Sequence, residues 1–212
     1  MRPALVLIVL LTIAPPRAAQ RTLALPEIDE AIRTGQTRIA ADRAKFHLPY
    51  RILVNHAPVD YVEVITPFRR VALAADERAQ LGDRSFGQRQ ALDLLGSAGG
   101  QFDFVVELTF HPLNTYVGIP PYDVLLLRDA VRVMPATLDR QPRFGARVEG
   151  FPPALPTPGG RIAAGRAQPI LGGTLTARFA GEAIDPAGVM TLIVSEQGAE
   201  LARIPVDLGR LR

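Results

Sequence analysis

Histidine and cysteine usage sets the first limit on the chemistry this chain can perform. His47, His56 and His111 are the three histidines, no two of them stand at a spacing suited to one metal ion, and none belongs to an H-E-x-x-H motif. The 212-residue chain contains no cysteine, which excludes disulfides, cysteine-ligated zinc, iron–sulfur clusters and thiol catalysis. The sequence therefore predicts no metal ion and no cofactor.

Three carboxylates are the best candidates for acid–base chemistry. Asp103 and Glu107 alternate with apolar residues in one segment, and Asp123 follows in the next apolar segment. On a strand, Asp103 and Glu107 would be about 13 Å apart, at roughly 3.3 Å per residue, so they could not act on one atom together. A carboxylate-dependent envelope hydrolase would need two such groups, or one with His111, about 5–9 Å apart in a cleft. This enzyme is the alternative to a binding function.

A proline-rich segment between two apolar segments holds the best candidates for ligand binding. Residues 111–123 include two of the four tyrosines and one of the two asparagines. Aromatic side chains on a loop stiffened by proline lose little entropy on binding. The candidate binding residues are His111, Asn114, Tyr116, Tyr122 and Asp123. The competing interpretation is that this segment only covers the end of the hydrophobic core.

The elements that must position these residues are mainly strands. The clearest is residues 101–111, where five large apolar residues alternate with polar ones and predict a strand with one buried face: Phe102, Phe104, Val106, Leu108 and Phe110. Residues 50–54 and 59–66 predict a hairpin, and residues 122–127 predict a shorter strand. The last 45 residues predict a β-meander, in which Pro205 indicates an edge strand.

Helices are predicted near the N-terminus and between strands. Residues 26–35 have proline and acids in the first turn, and residues 37–45 form a weaker helical pattern. A third helical region covers residues 74–96. Its second half is expected to begin with a capping box of Ser85 and Gln88 and to end at Gly96.

The combined pattern predicts a mainly β protein of the α+β type. Short strands with frequent turns are typical of an antiparallel β-sandwich, for which an immunoglobulin-like arrangement is one form. We expect a signal peptide over 1–19, a β-rich region with helical insertions over 20–150, a Pro/Gly-rich loop or linker over 151–168, and a C-terminal meander over 169–212 that belongs to the same sandwich.

The first residues predict export. Arg2 precedes an apolar run of 11 residues, which is followed by two prolines and small residues, as in a secretory signal peptide. The run is shorter than the roughly 20 residues that span a bilayer, so no integral membrane span is expected. Cleavage is expected after Ala18 or Ala19. The sequence therefore predicts a periplasmic or secreted protein.

Charge narrows the set of partners. Without residues 1–19, lysine plus arginine falls to 22 against 21 acids, because Arg2 and Arg17 are lost. A nearly neutral chain with dispersed arginines has no electrostatic footprint for nucleic acid. We expect a non-catalytic binding or structural module for a protein or saccharide of the cell envelope. A sandwich or barrel that encloses an apolar ligand is a third possibility.

Overall fold

A computed structural model describes residues 19–111, 114, 116–145 and 170–212. Within these ranges nine strands form two antiparallel sheets, which confirms the prediction of a mainly β protein with short helices. The strands are β1 (Arg51–His56), β2 (Val59–Ile65), β3 (Phe102–Thr109), β4 (Tyr122–Arg128), β5 (Val131–Val133), β6 (Thr137–Phe144), β7 (Ile170–Phe179), β8 (Val189–Glu196) and β9 (Ala199–Asp207). The five-stranded sheet has the order β1-β2-β3-β7-β6, and the four-stranded sheet has the order β5-β4-β8-β9.

The two sheets share one hydrophobic core. All five apolar residues predicted on the inner face of β3 are at most 5% exposed. They pack in a single cluster with residues of the four-stranded sheet such as Val124, Leu126 and Leu192. The outer face of β3 is wetter, except that Asp103 is only 8% exposed. Its carboxylate forms ion pairs with Arg70, at 3.1 Å, and with Arg178, at 4.0 Å.

The described ranges also contain four α-helices. They are α1 (Leu25–Gly35), α2 (Ala40–His47), α3 (Pro67–Gln80) and α4 (Gln88–Ala98). Three of them, α1, α3 and α4, supply buried residues to a second, smaller hydrophobic cluster. The third helix begins seven residues before the predicted position. The Thr66 hydroxyl accepts a hydrogen bond from the Arg69 N–H at 3.1 Å, and proline occupies the first turn, so the chain leaves β2 directly into the helix.

The predicted caps of α4 are wrong at both ends. The helix starts at Gln88 rather than near Ser85, because Gly87 is the N-cap and its N–H donates to the Gln90 side chain at 3.1 Å. The helix continues past Gly96 to Ala98. Its C-cap is Gly99, which has a left-handed φ of 59°.

The predicted regions 20–150 and 169–212 both contribute strands to both sheets. β7 lies between β3 and β6, whereas β8 and β9 pair with each other beside β4. β9 lies at a sheet edge, as Pro205 predicts. The predicted linker 151–168 and the first 18 residues of the predicted signal peptide lie outside the described residues. None of the helices in the described ranges is long and apolar enough to cross a membrane.

Candidate binding pocket

Four of the five candidate binding residues line one pocket at an end of the shared core. His111, Asn114, Tyr116 and Tyr122 surround a cavity of about 270 Å³. The remaining lining residues come from the β1–β2 turn, the end of β3, and strands β8 and β9: Ala57, Pro58, Thr109, Phe110, Glu196 and Leu201. The segment that connects β3 to β4 therefore forms a pocket together with strands that are distant in the sequence.

Asn114 holds this connection in place. Its side-chain amide donates hydrogen bonds to the carbonyl oxygens of His111 and Ile170, both at 2.8 Å. Its side-chain oxygen accepts a hydrogen bond from the Tyr116 backbone N–H at 3.0 Å. Because three hydrogen bonds are already made within the protein, Asn114 positions the pocket rather than offering its amide to a ligand.

The two tyrosines differ in accessibility although they contact the same ring. Phe110 packs against Tyr116 with ring centroids 5.0 Å apart in an edge-to-face arrangement, and against Tyr122 at 6.3 Å. Tyr116 is 41% exposed, whereas Tyr122 is 2% exposed. Tyr122 and Phe110 thus form a rigid base that belongs to the core, and Tyr116 is the aromatic side chain that a ligand can reach.

The polar character of the pocket comes from Tyr122, Glu196 and His111. Burial raises the pKa of the Tyr122 phenol well above its ordinary range, and the neighbouring Tyr116 and Glu196 raise it further. The phenol therefore stays protonated at neutral pH, and it is hydrogen-bonded to the Tyr116 side chain. Glu196 faces Tyr122 in the register of β4 with β8, so a carboxylate acceptor and a phenol donor lie together.

A glycine in β7 allows the β3–β4 connection to rest on the five-stranded sheet. A Cβ on Gly173 would lie 2.6 Å from Cδ1 of Ile119 and 2.5 Å from the carbonyl oxygen of Gln141. Ile119 is one of the apolar residues of the connection that pack on the shared core. The absence of a side chain at Gly173 therefore leaves room for Ile119 of the connection.

Asp123 is the candidate residue that does not line this pocket. It alternates with the buried Tyr122 and Val124, so it lies on the outer, exposed face of the four-stranded sheet opposite Ser195. Glu196 and Leu201 were missed by sequence reasoning. The pairing of β4 with β8, and of β8 with β9, brings these two residues to the pocket. No local sequence motif predicts that pairing.

The carboxylates of the alternative hydrolase occupy separate environments. Glu107 is bound by Arg143 and accepts a hydrogen bond from the Thr174 hydroxyl at 3.0 Å. Asp103 lies four residues away on the same face of β3 and contacts Arg70 and Arg178. Asp123 lies on the other sheet. Each carboxylate of β3 is therefore occupied by arginine rather than open to a substrate.

The described residues contain no group of three His, Asp or Glu side chains that could hold a metal ion. Comparison of the whole chain with family models, curated proteins and solved structures gives no match.

Proposed function

We propose that this chain is an exported cell-envelope protein, periplasmic or secreted, that binds a saccharide without transforming it. The observation that carries the proposal is the convergence of His111, Tyr116, Tyr122 and Glu196 on one small pocket. The two sheets with a common core are interpreted as a β-sandwich, a scaffold that presents such a loop rigidly. An immunoglobulin-like arrangement of this sandwich stays a prediction.

The size and lining of the pocket favour a sugar ring as the ligand. A cavity of about 270 Å³ lies just below the usual range for small-molecule sites. The exposed ring of Tyr116 offers a flat apolar surface, and the Glu196 carboxylate offers an acceptor for hydroxyl groups. Few polar groups on a rigid aromatic base suit recognition of a neutral ligand.

We propose that the bound saccharide is not hydrolysed because of where the carboxylates lie and what they contact. Glycoside hydrolysis needs two carboxylates on opposite sides of one bond. Glu196 is the carboxylate that lines this pocket, whereas Asp103 and Glu107 contact arginines on the outer face of the other sheet. Hydrolysis of a bound saccharide would contradict this part of the proposal.

Export is supported by the apolar leader, and the position of Ala19 bears on where that leader is cleaved. Ala19 is 1% exposed, and its N–H donates to the Leu208 carbonyl at 3.3 Å. Cleavage after Ala18 keeps Ala19 in the core, with its new α-ammonium group able to donate to the Leu208 carbonyl, whereas cleavage after Ala19 removes the residue. We therefore expect the exported chain to begin at Ala19, as read by N-terminal sequencing of protein from the envelope fraction. Full-length protein confined to the cytosol would contradict export.

Binding is tested by NMR titration with three neutral trisaccharides: chitotriose, cellotriose and maltotriose. At least one should shift the backbone amide signals of Thr109, His111, Tyr116 and Glu196. Tyr116→Ala should weaken that binding by about tenfold or more, because an aromatic anchor of this kind contributes more than 1 kcal/mol. Val117→Ala is the control, since Val117 is 91% exposed in the same connection and does not line the pocket.

Two outcomes would contradict the saccharide ligand. The first is the absence of shifts with any trisaccharide, and the second is equal binding by wild type and Tyr116→Ala. If instead an envelope protein binds in a manner that depends on Tyr116, the pocket serves a protein partner, which is the other form of the binding module that the sequence predicts.

A further inference from the structure

A second pocket lies between the β1–β2 hairpin and helices α2 and α3. It has a volume of about 410 Å³ and shares no lining residue with the first pocket. Charged and apolar side chains line it together: His47, Leu48, Arg51, Glu63, Arg69 and Leu73. Nothing in the proposed saccharide function uses these residues.

Two arginines share one carboxylate in this pocket. Arg51 donates a hydrogen bond from Nε to Oε1 of Glu63 at 2.7 Å, and Arg69 donates from Nη2 to Oε2 at 2.9 Å. His47 adds no negative charge. Burial lowers the pKa of its imidazole, and the charge of Arg69 lowers it further, so His47 is neutral at neutral pH. The two arginines and the one glutamate therefore give the lining residues a net charge of +1.

The positive charge of Arg69 is costly because it is buried. Arg69 is 2% exposed, packs over the Tyr50 ring and donates from Nη1 to the Val64 carbonyl at 2.7 Å. Its Nε is buried and has no hydrogen-bond partner among the described residues. A buried guanidinium that shares its only carboxylate with another arginine is incompletely compensated. An anion in the adjacent cavity would lower this cost through space, without touching the buried Nε.

The pocket also exposes apolar surface. Leu48 is 69% exposed, and Leu73 is a second apolar residue of the lining. Arg51 is accessible as well, with a side-chain exposure of 49%. A solvent-facing leucine beside a reachable guanidinium suits a ligand with one negative and one apolar end.

We infer that this pocket binds a small organic carboxylate with a short aliphatic tail. The carboxylate balances the positive charge that Arg51 and Arg69 leave over after pairing with Glu63. The tail covers Leu48 and Leu73 and excludes water from them. Acetate has the charge without the tail, and hexanol has the tail without the charge, so the two halves of the inference can be tested separately.

The experiment is an NMR titration of the wild-type protein with hexanoate, acetate and hexanol at low ionic strength. Hexanoate should shift the His47 imidazole and the Leu48 and Arg51 amides, with a Kd at least about fivefold lower than that of acetate or hexanol, or about 1 kcal/mol. Shifts confined to the first pocket, no binding of hexanoate, or equal binding of hexanol would overturn the inference.

Variants on the protein side test the same two contributions. Arg51→Gln should weaken hexanoate binding by about fivefold or more, whereas Arg51→Lys, which keeps the charge, should retain most of it. Arg203→Gln is the matched control, because Arg203 pairs with a carboxylate, Glu200, on the edge strand β9. Circular dichroism of each variant checks that the fold is kept. Unchanged binding by Arg51→Gln would overturn the role of charge.

The apolar contribution has its own matched pair. Leu48→Ser should weaken hexanoate binding by about threefold or more and leave acetate binding unchanged. Leu81→Ser is the control, since Leu81 is 78% exposed at the end of α3 and does not line the pocket. Equal effects of the two leucine variants would overturn the assignment of the tail. Failure of trisaccharide binding would not bear on these results, because the two pockets share no residue.

Discussion

The side chain of Asn114 and the backbone of Ile170 are joined by a 2.8 Å hydrogen bond. This bond links the β3–β4 connection to the first residue of β7, which lies 56 positions further along the chain. The same amide also donates to the His111 carbonyl. The candidate pocket therefore depends on one side chain that ties two distant segments together.

Replacement of Asn114 by alanine should loosen the pocket and lower stability. The change leaves the Ile170 carbonyl and the Tyr116 N–H without these partners, whereas the His111 carbonyl keeps its hydrogen bond from the backbone N–H of residue 114 at 2.9 Å. The free energy of unfolding should therefore fall by about 1–2 kcal/mol. The measurement is urea unfolding, combined with the trisaccharide titration. Gln88→Ala is the control, because Gln88 makes one hydrogen bond, to Asp29, at an exposed position. A similar loss in both variants would mean that Asn114 has no special role.

Leu108 and Glu107 test the assignment of the two faces of β3. Leu108 is fully buried in the shared core, so Leu108→Ala should lower the free energy of unfolding by about 2–5 kcal/mol. Glu107→Gln keeps the shape of the side chain on the partly exposed face and should cost about 1 kcal/mol or less. Thermal and urea unfolding of both variants give the comparison. Equal losses would show that the faces are assigned wrongly.

The success of the β3 assignment shows what alternation can predict. Five apolar residues at every second position are readable without knowing any partner strand, because a half-buried strand needs that pattern. The same logic finds no strand at β6, whose residues are almost all exposed and include Pro142. β6 pairs only with β7 at a sheet edge, so neither burial nor alternation marks it in the sequence.

The pocket was predictable only on the side formed by one continuous segment. His111, Tyr116 and Tyr122 are close in the sequence, and proline marks the connection that carries them. Glu196 reaches Tyr122 through the pairing of β4 with β8, a contact between residues 74 positions apart. Such long-range register is set by the packing of both sheets on one core, which a single sequence does not display.

His47 predicts a pH dependence of stability in the mildly acidic range. Burial, with a further contribution from the charge of Arg69, lowers its pKa below the ordinary value of 6.5. The unfolded chain therefore binds a proton near pH 6.5, whereas the folded protein resists protonation until a lower pH. The contribution of neutral His47 to the free energy of unfolding is fully present above about pH 6.5. It is lost as the pH drops toward the folded-state pKa.

His47→Gln should flatten this part of the stability curve, measured by urea unfolding at several pH values. His56→Gln, at the exposed end of β1, is the matched histidine-to-glutamine control. A slope that persists near pH 6 in His47→Gln would contradict the assignment to His47.

Glu63 gives a separate pH dependence, at lower pH. Burial would raise the pKa of its carboxyl, but the hydrogen bond from Arg51 and the charge of Arg69 outweigh burial and keep that pKa below its ordinary value of 4.5.

Arg212 connects the β-sheets to the helical cluster, and its guanidinium should contribute measurably to stability. It binds both oxygens of Glu30 in α1 at 2.6 Å and lies over the Phe68 ring of α3 at 4.5 Å. Because both partners of the ion pair are about one-third exposed, solvent screening limits the effect, and Arg212→Gln should cost about 1 kcal/mol. The measurement is urea unfolding at low and high salt.

Arg210→Gln is the matched control for this prediction. Arg210 also pairs with a carboxylate, Asp207, but its side chain is 83% exposed and the pair joins neighbouring residues of one segment. Its loss should change the free energy of unfolding by less than about 0.5 kcal/mol. Since Arg212 pairs with α1 and Arg210 pairs with Asp207 of its own segment, only the Arg212 variant should let hydrogen exchange in α1 become faster while exchange in β3 stays slow. Equal exchange in α1 for the two variants would mean that the bond to Glu30 does not couple the helical cluster to the sheets.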